Sequence, residues 1–317
     1  MADHTFQTIS EEWLKWISPD LKASSKVKYI NILNKHLLPE FGTYPISQIS
    51  ESDVLSLKTR LLTPEAEKGI GLSPGSVVNI LAVLRSIMAY ASQVRKLDVQ
   101  DIGRIKVKQI RKPLRVFSRD EQKRLNEYLF KHSDLVSLGI LLTLYTGLRI
   151  GELCALKWED ISLEDHSIFV HRTLQRIQTF RPEEKTRVII TEPKSSSSIR
   201  HIPIPHPLIK RLGKAKCHAS CYLLTGKPDE YIEPRMMENH FNAITRCCDI
   251  RGSTFHTCRH TFATRCVELG FDIKSLSEIL GHSNVTITMN RYVHPSMEFK
   301  QENMNRLSLL LSESFSL

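Results

Sequence analysis

Apolar residues recur at helical spacing through most of the first hundred residues. Residues 6–17 and residues 24–38 each carry such a stripe, which predicts two amphipathic helices, the second ending before Pro39. Further helices are predicted over residues 51–61 and residues 74–94, the latter opened by a serine cap and a proline in the first turn. Together they predict a small helical bundle.

The second part of the chain mixes helical and strand patterns. Ser118 and Glu121 have the spacing of a capping box, and the helical pattern that starts there continues to about Lys157. Runs rich in β-branched residues then predict short strands in IFVHRTL, RVIIT and SIRHIPIP. From His206 the pattern is helical again, and residues 297–317 predict one more amphipathic helix.

These elements predict a mainly α protein with a small antiparallel β-sheet. The chain has 317 residues, and single cores stop growing at about 250–300 residues, so two domains are expected. The patterns place a helical bundle at 1–102, a linker at 103–116 and a mixed α/β domain at 117–317, with the tail helix at its end.

The charge of the chain narrows its possible partners. It contains 44 Lys and Arg residues against 34 Asp and Glu residues, a net charge of +10. This excess favours a polyanion, nucleic acid before a membrane surface. We find no apolar run of the ~20 residues that a membrane span needs, and the N-terminus lacks an apolar signal core. A cytoplasmic protein without a membrane partner is therefore expected.

A basic stretch, RIKVKQIRKPLR, joins the two predicted domains and contains no acidic residue. A solvated linker explains this composition, and so does a strap that closes around a polyanion. Its basic residues are Arg104, Lys106, Lys108, Arg111, Lys112 and Arg115.

The seven cysteines, without a secretory signal, indicate reduced thiols rather than a disulfide framework. Cys217, His218 and Cys221 raise the question of zinc, as do the adjacent Cys247 and Cys248. However, no CxxC pairs with a second one at finger spacing. We therefore predict no metal.

Two histidines four residues apart, His256 and His260 in HTCRH, resemble the helix of zinc proteases. That motif requires a glutamate directly after the first histidine, and Thr257 stands there instead. What remains is His256 three residues before Arg259, on one face of a helix. A guanidinium binds two phosphate oxygens at once, and an imidazole moves protons near neutral pH.

Five more residues are candidates, and four of them have a plainer alternative. Arg149 follows a glycine turn in TGLRIGEL, where Glu152 can hold it, although a purely structural ion pair explains both residues. Lys194 stands in a serine-rich turn, where a lysine is ordinarily only solvated. His282 follows a helix-ending glycine in LGHSN. Tyr292, in MNRYVHP, belongs to a residue type that ordinarily serves packing.

Taken together, these side chains suit phosphoryl transfer. Two arginines neutralise the charge that grows on the non-bridging oxygens of a phosphodiester. Lysine and histidine supply and remove protons. A tyrosine phenol attacks phosphorus and stores the broken bond as a phosphotyrosine ester, so that neither a metal ion nor ATP is required.

In order along the chain, TGLRIGEL, EPKSSSSIRHIPIP, HTCRHTFAT, LGHSN and NRYVH closely resemble the motifs of the tyrosine recombinases, which include phage and transposon integrases and Xer-type resolvases. The N-terminal EEWLKWI and KYINILNKHLLPEFG resemble the SAM-like core-binding bundle of the same family. The resemblance covers residues 5–317. It implies a core-binding bundle and a mixed α/β catalytic domain that form a C-shaped clamp on DNA.

The resemblance also implies roles for matching residues. Tyr292 is expected to be the nucleophile, joined to the 3′ phosphate while a 5′ hydroxyl leaves. Arg149 and Arg259 are expected to clamp the scissile phosphate, with His282 as a further donor. Lys194 is expected to be the general acid for the leaving oxygen.

Two residues complete the expected set: His256 assists proton transfer and Glu152 supports Arg149. No cofactor is expected. Many integrases carry an additional N-terminal arm-binding domain, whereas here the core-binding motif begins near Met1. Either a two-domain recombinase or a truncated chain is consistent with that start.

The expected partner is double-stranded DNA at the ends of a mobile element and at its target. The resemblance further implies a homotetramer on paired sites, held by the C-terminal tail, and it is compatible with an accessory excision factor. A tail that folds back onto its own domain is the alternative. Two alternatives stay open, a type IB topoisomerase and a non-catalytic DNA-binding regulator. Candidate DNA contacts, which are otherwise ordinary solvated positions, are Lys28, Lys35, Asn79, Arg85, Arg104, Lys106, Lys108, Arg111, Lys112 and Arg246.

Overall fold

The computed structural model describes residues 4–63, 71–108, 113–180, 183–193, 196–293, 300–301 and 304–305. The chain divides into two units, one of residues 1–113 with 177–187 and the other of residues 114–176 with 188–317. It is mostly helical, with small antiparallel sheets, as the sequence predicts.

The first unit is a helical bundle around its own apolar core. The residue before each of three helices caps it: Thr5 and Ser73 accept a backbone N–H with their side chains, and Ser50 forms a capping box with Asp53. The largest buried side chains of this core include Phe6, Trp13 and Phe41. The helices are α1 (Phe6–Ile17), α2 (Ala23–Ile32), α3 (Leu38–Phe41), α4 (Glu51–Leu62) and α5 (Pro74–Gln93).

The prediction that Pro39 ends the second helix is wrong. Helix α2 continues through a π-helical turn, Leu33–Leu37, directly into α3. Pro39 lies in the first turn of α3, where its missing N–H costs little, and the wider π-turn absorbs the change in hydrogen bonding. Leu37 and Phe41 consequently both reach the core.

Helix α5 is long and apolar enough, by length and composition alone, to cross a membrane, contrary to the sequence expectation. Its apolar residues are accounted for inside the first unit. Val77, Ile80, Leu84 and Ile87 are each at most 2% exposed in the core of the bundle. The helix therefore has the burial of a core helix.

The second unit packs helices around two small sheets. Strand β2 lies between β1 and β5, antiparallel to both, while β3 and β4 form a separate pair. The strands are β1 (Ile161–Ser162), β2 (Ser167–Val170), β3 (Thr173–Gln178), β4 (Thr186–Thr191) and β5 (Arg200–Pro203). The helices are α6 (Arg119–Lys131), α7 (Leu135–Thr146), α8 (Ile150–Ala155), α9 (His206–Ala215), α10 (Pro234–Cys247), α11 (Phe255–Glu268), α12 (Ile273–Leu280) and α13 (Val285–Tyr292).

The segment IFVHRTL, predicted as one strand, is divided between two sheets. His171 and Arg172 interrupt it, because both side chains turn to the buried carboxylate of Asp160, at 2.9 and 2.8 Å. Strand β2 ends before them and β3 begins after them. Of the predicted tail helix, residues 300–301 and 304–305 are described and are helical, and the rest lies outside the described residues.

Candidate active site

Arg149 enters the site from the junction between α7 and α8. Helix α7 ends at Gly147, whose φ of +69° suits glycine, and a Cβ there would lie 2.6 Å from the Phe262 ring. Arg149 is then the N-cap residue of α8. Its backbone N–H donates to Glu152 Oε2 at 2.9 Å and its Nη1 donates to Glu152 Oε1 at 2.6 Å. The pairing of Arg149 with Glu152 is present as the spacing suggested.

Arg259 is held from α11, with only 2% of its surface exposed. Its Nη1 donates to the carbonyl of Gly147 at 2.6 Å, and its Nη2 donates to the carbonyl of Leu280 at 2.7 Å. Burial and the nearby charge of Arg149 lower the pKa of Arg259 to about 9. The guanidinium is thus a desolvated, rigidly placed cation.

The C-terminal end of α12 orients three arginines. The carbonyls of residues 279, 280 and 281 accept from Arg200, Arg259 and Arg149 at 2.6, 2.7 and 2.9 Å. Carbonyls at a helix end have no partner in the helix and carry its partial negative charge, so they attract guanidinium groups. Gly281, with φ of +63°, turns the chain out of the helix at this point.

Sequence reasoning missed Arg200, which is buried on β5. It makes a two-pronged contact with Glu152, at 3.1 and 3.0 Å, so the one carboxylate serves both Arg200 and Arg149. Burial alone would raise the pKa of Glu152, but the two arginines outweigh it and hold that pKa below its usual value. The sequence signal that could have identified Arg200 is its inward-facing position in the otherwise apolar strand pattern SIRHIPIP.

His282 follows directly on Gly281 and is fixed through both ring nitrogens. Nε2 accepts from Arg259 Nη2 at 3.0 Å, because a guanidinium can only donate, and Nδ1 therefore carries the proton toward Thr288 Oγ1 at 2.8 Å. Burial and the charges of Arg259 and Arg149 lower the pKa of His282 to about 3. In this arrangement the ring is neutral and accepts from Arg259 rather than donating outward.

Tyr292 is the last residue of α13 and is 6% exposed. Its ring packs in a small core with Ala263, Cys266 and Leu280, parallel to the His282 ring at 6.4 Å between centroids. Burial raises the pKa of the phenol, although the Arg259 charge opposes the rise. The side chain does serve packing, and it also brings its hydroxyl into the arginine site.

Sequence reasoning also missed the partner of that hydroxyl. His260 Nδ1 lies 2.9 Å from Tyr292 Oη, and both side chains are buried. His256 lies on the same helix, three residues before Arg259, and is exposed whereas Arg259 is buried. Its ring stands perpendicular to that of His260 at 4.4 Å. From the sequence alone, the spacing of the two histidines in HTCRH suggests only a zinc motif.

Lys194 lies outside the described residues, as do Arg111 and Lys112. Arg85, in contrast, is half-buried and donates to the carbonyl of Ile105. Ile105 is itself 3% exposed in the core of the first unit, although the sequence placed it in the linker. The exposed members of the proposed DNA-contact set are Lys28, Lys35, Asn79, Arg104, Lys106, Lys108 and Arg246.

The basic strap is not wholly uncompensated. Arg115, at its end, forms a two-pronged ion pair with Glu121, with one contact of 2.9 Å. Lys28, in the bundle, donates to Asn79 Oδ1 at 2.7 Å. Among the described residues of the strap, the exposed side chains of Arg104, Lys106 and Lys108 remain available to bind a polyanion.

Comparison with known proteins identifies the family. The profile of the phage integrase family matches residues 115–298, and that of the phage integrase N-terminal SAM-like domain matches residues 5–61. A XerC-like tyrosine recombinase of Caldanaerobacter subterraneus is 34% identical over 199 residues, covering 57% of this chain and 50% of that protein. The tyrosine recombinase XerA of Pyrococcus furiosus is 28% identical over 298 residues, covering 88% of this chain and 96% of that protein.

The fold has a counterpart among solved structures. The Tn1549 transposon integrase in complex with transposon right end DNA superposes with a TM-score of 0.74 at 22% identity, covering 95% of this chain and 99% of that one. At this identity the likeness concerns the fold. The match over most of the second unit and the matching N-terminal domain lead to one conclusion: the chain belongs to the phage integrase family, the tyrosine recombinases.

Proposed function

We propose that this protein is a site-specific DNA recombinase of a mobile element and that it cuts and rejoins DNA through a covalent bond between Tyr292 and a 3′ phosphate. The observation that carries the proposal is a cluster in which Arg259 donates to His282 and acts on the hydroxyl of the buried Tyr292, whose ring lies parallel to that of His282. It unites a nucleophile with fixed positive charge, the two requirements of phosphodiester transfer.

Each side chain has a place in the reaction. Arg149 and Arg259 bind the non-bridging oxygens, where negative charge develops as the phenol oxygen bonds to phosphorus. Their orientation is set before DNA arrives, by the carbonyls of Gly147, Leu280 and Gly281, so little reorganisation accompanies the reaction. Glu152 keeps Arg149 in place.

The remaining roles concern protons and the leaving group. The bond from phosphorus to the 5′ oxygen breaks, and Lys194 is proposed to give that oxygen a proton. His256, which is exposed, is proposed to assist proton transfer. His282 supports Arg259. Once DNA displaces their present hydrogen bond, His282 is proposed to change tautomer, so that Nδ1 accepts from the Thr288 hydroxyl and Nε2–H donates to the phosphate. The broken bond is stored in the phosphotyrosine ester, so the proposed reaction draws on neither a metal ion nor ATP.

The proposed substrate is double-stranded DNA, at the ends of the element and at its target, gripped by the bundle and the catalytic domain. The net charge of +10 and the exposed basic residues of the strap support this. Assembly into a tetramer through residues 297–317 and use of an accessory excision factor are the further proposals that the family suggests. With this action on DNA, a cytoplasmic location is proposed.

The experiment is the substitution Tyr292→Phe, assayed on a nicked duplex that traps covalent protein–DNA adducts. The duplex can be isolated from a random-sequence library by binding to the wild-type protein. We expect wild-type adducts, none with Tyr292→Phe, and nearly equal DNA affinity, because only the attacking hydroxyl is removed. Adducts that persist in Tyr292→Phe would show that another residue attacks.

Strand exchange separates this function from that of a type IB topoisomerase. A recombinase joins strands between two duplexes, whereas a topoisomerase relaxes one. A non-catalytic regulator would bind the duplex and form no adduct at all. The relatives named above are recombinases, which favours exchange.

A further inference from the structure

The hydroxyl of Tyr292 has a buried partner that the roles above leave unused. His260 Nδ1 lies 2.9 Å from Tyr292 Oη, and the two residues are 7% and 6% exposed. This distance is that of a hydrogen bond between a phenol and an imidazole nitrogen. The contact therefore reaches the very oxygen that is proposed to attack phosphorus.

Packing fixes this contact from both sides. His260 follows Arg259 in α11, and its ring stands perpendicular to that of His256 and is tilted by 52° against the Tyr292 ring. The Tyr292 ring is held in the small core between α11, α12 and α13. Neither side chain can turn away without disturbing packed neighbours.

The other two imidazoles of the site are occupied differently. His282 uses Nε2 for Arg259 and Nδ1 for Thr288, so neither nitrogen is available to Tyr292. His256 is exposed, and its ring stands perpendicular to that of His260 at 4.4 Å between centroids. Among the described residues, His260 is the imidazole that is hydrogen-bonded to Tyr292 Oη.

We propose that His260 is a catalytic residue whose Nδ1 accepts the proton of the Tyr292 hydroxyl as that oxygen attacks the phosphodiester. The inference rests on the proposed function. The Oη–H bond breaks and an Nδ1–H bond forms, while the Oη–P bond forms and the bond from phosphorus to the 5′ oxygen breaks, its electron pair leaving with that oxygen. In rejoining, the 5′ hydroxyl attacks phosphorus and returns its proton to Lys194, while the Oη–P bond breaks and the departing phenolate recovers the proton from His260.

The charge balance of the site makes this transfer depend on DNA. In the free protein, burial and the charges around it, His256 first and then Arg291 and Arg259, lower the pKa of His260 to about 3. The ring is therefore neutral at neutral pH, with a lone pair free to accept. A bound phosphodiester adds a negative charge beside it and stabilises the imidazolium, which strengthens the base only when substrate is present.

The test compares His260→Asn with the wild-type protein in single-turnover cleavage of the nicked duplex described above. Asparagine Oδ1 can accept the phenol hydrogen bond but cannot take the proton. We expect His260→Asn to cleave about 100-fold more slowly at pH 7, with unchanged DNA affinity. Its rate should rise about tenfold per pH unit, because phenolate must now form without a base. A residue that only positions Tyr292 would not produce this pH dependence.

A second substrate separates the two proton transfers. A duplex with sulfur in place of the bridging 5′ oxygen has a leaving group that needs no proton, so it should not relieve the defect of His260→Asn. His218→Asn, at an exposed position, is the control and should match the wild-type protein. His260→Phe, which removes the hydrogen bond as well, should be at least as slow as His260→Asn, with thermal melting to confirm that both variants fold.

The outcomes are distinct. Cleavage by folded His260→Asn within about threefold of wild type would overturn the assignment, as would a defect that is constant with pH or one that the sulfur substrate restores. If the wild-type protein forms no adduct through Tyr292, the proposed function itself fails, and the role of His260 falls with it.

Discussion

Glu152 is the residue on which the arrangement of the arginines depends most. It is 3% exposed and its carboxylate accepts from Arg149 and Arg200 at 2.6–3.1 Å. Removing one partner of a buried ion pair leaves the others uncompensated, which is far costlier than losing a surface pair.

We therefore expect Glu152→Gln to lower the free energy of unfolding by about 3 kcal/mol and to slow cleavage, because two guanidiniums lose their counter-charge. Denaturant unfolding and adduct formation measure the two effects. Glu230→Gln is the matched control, since its pair with Lys227 is about 60% exposed on both sides, and it should change stability by less than about 1 kcal/mol. Equal effects of the two substitutions would show that the Glu152 network is not what holds the arginines.

At the scale of elements, the end of α12 decides where three cations point. Its last carbonyls bind Arg200, Arg259 and Arg149, which come from β5, α11 and the start of α8. A turn at Gly281 both ends the helix and leads the chain to His282. Small shifts of this turn should therefore alter the whole site.

Gly281→Ala tests this, with Gly270→Ala as the matched control. Both glycines have positive φ after a helix, +63° and +77°, so alanine is strained at either position by about 1 kcal/mol. A Cβ at Gly270 meets nothing within 4 Å, whereas one at Gly281 lies 3.0 Å from Arg200 Nη1. We expect Gly281→Ala to lose more stability, about 2 kcal/mol, and much of its cleavage activity, whereas Gly270→Ala keeps its activity. Thermal unfolding and adduct assays of both variants provide the comparison.

At the scale of the whole molecule, two histidines of the site, His260 and His282, link stability to pH. The pKa values of His260 and His282 are lowered to about 3, against about 6.5 in an unfolded chain. Between these values the unfolded state binds more protons, so stability is full above pH ~6.5 and falls as the pH drops toward ~3.

We expect the free energy of unfolding of the DNA-free protein to fall by about 1–2 kcal/mol for each of these histidines between pH ~6.5 and ~5. Urea unfolding at several pH values measures this slope. His282→Gln should flatten it, and His218→Gln, at an exposed position, should leave it unchanged. A slope that is the same in all three proteins would assign the effect to other groups.

The basic strap makes a separate prediction about DNA affinity. Lys106 and Lys108 are exposed, and each phosphate contact steepens the salt dependence of binding by about one unit of log–log slope. Replacing both with glutamine should therefore reduce that slope by about two, which fluorescence anisotropy at graded salt measures. Lys227→Gln, which removes an exposed lysine paired with Glu230, is the control. An unchanged slope in the double variant would mean that the strap is an ordinary solvated linker.

The local elements followed from the sequence with few errors. Helix α1 begins and ends where its periodicity predicts, and α5 begins after the serine cap and ends at Gln93. These features depend on neighbours within one or two turns, which the sequence displays directly. Two local predictions were wrong. The helix does not end before Pro39, because a π-turn carries it on, and IFVHRTL is not one strand, because the buried Asp160 binds side chains in its middle.

What the sequence by itself determined was the kind of chemistry: the residue types and their order pointed to a tyrosine, two arginines and histidines acting on a phosphodiester, and the family assignment is confirmed. Only the tertiary structure decided which side chains are in contact. Arg200 meets Glu152 across 48 positions of chain, and His260 meets Tyr292 across 32. No local periodicity encodes such pairs, because they arise when separate helices and a strand pack around one helix end whose carbonyls gather the arginines.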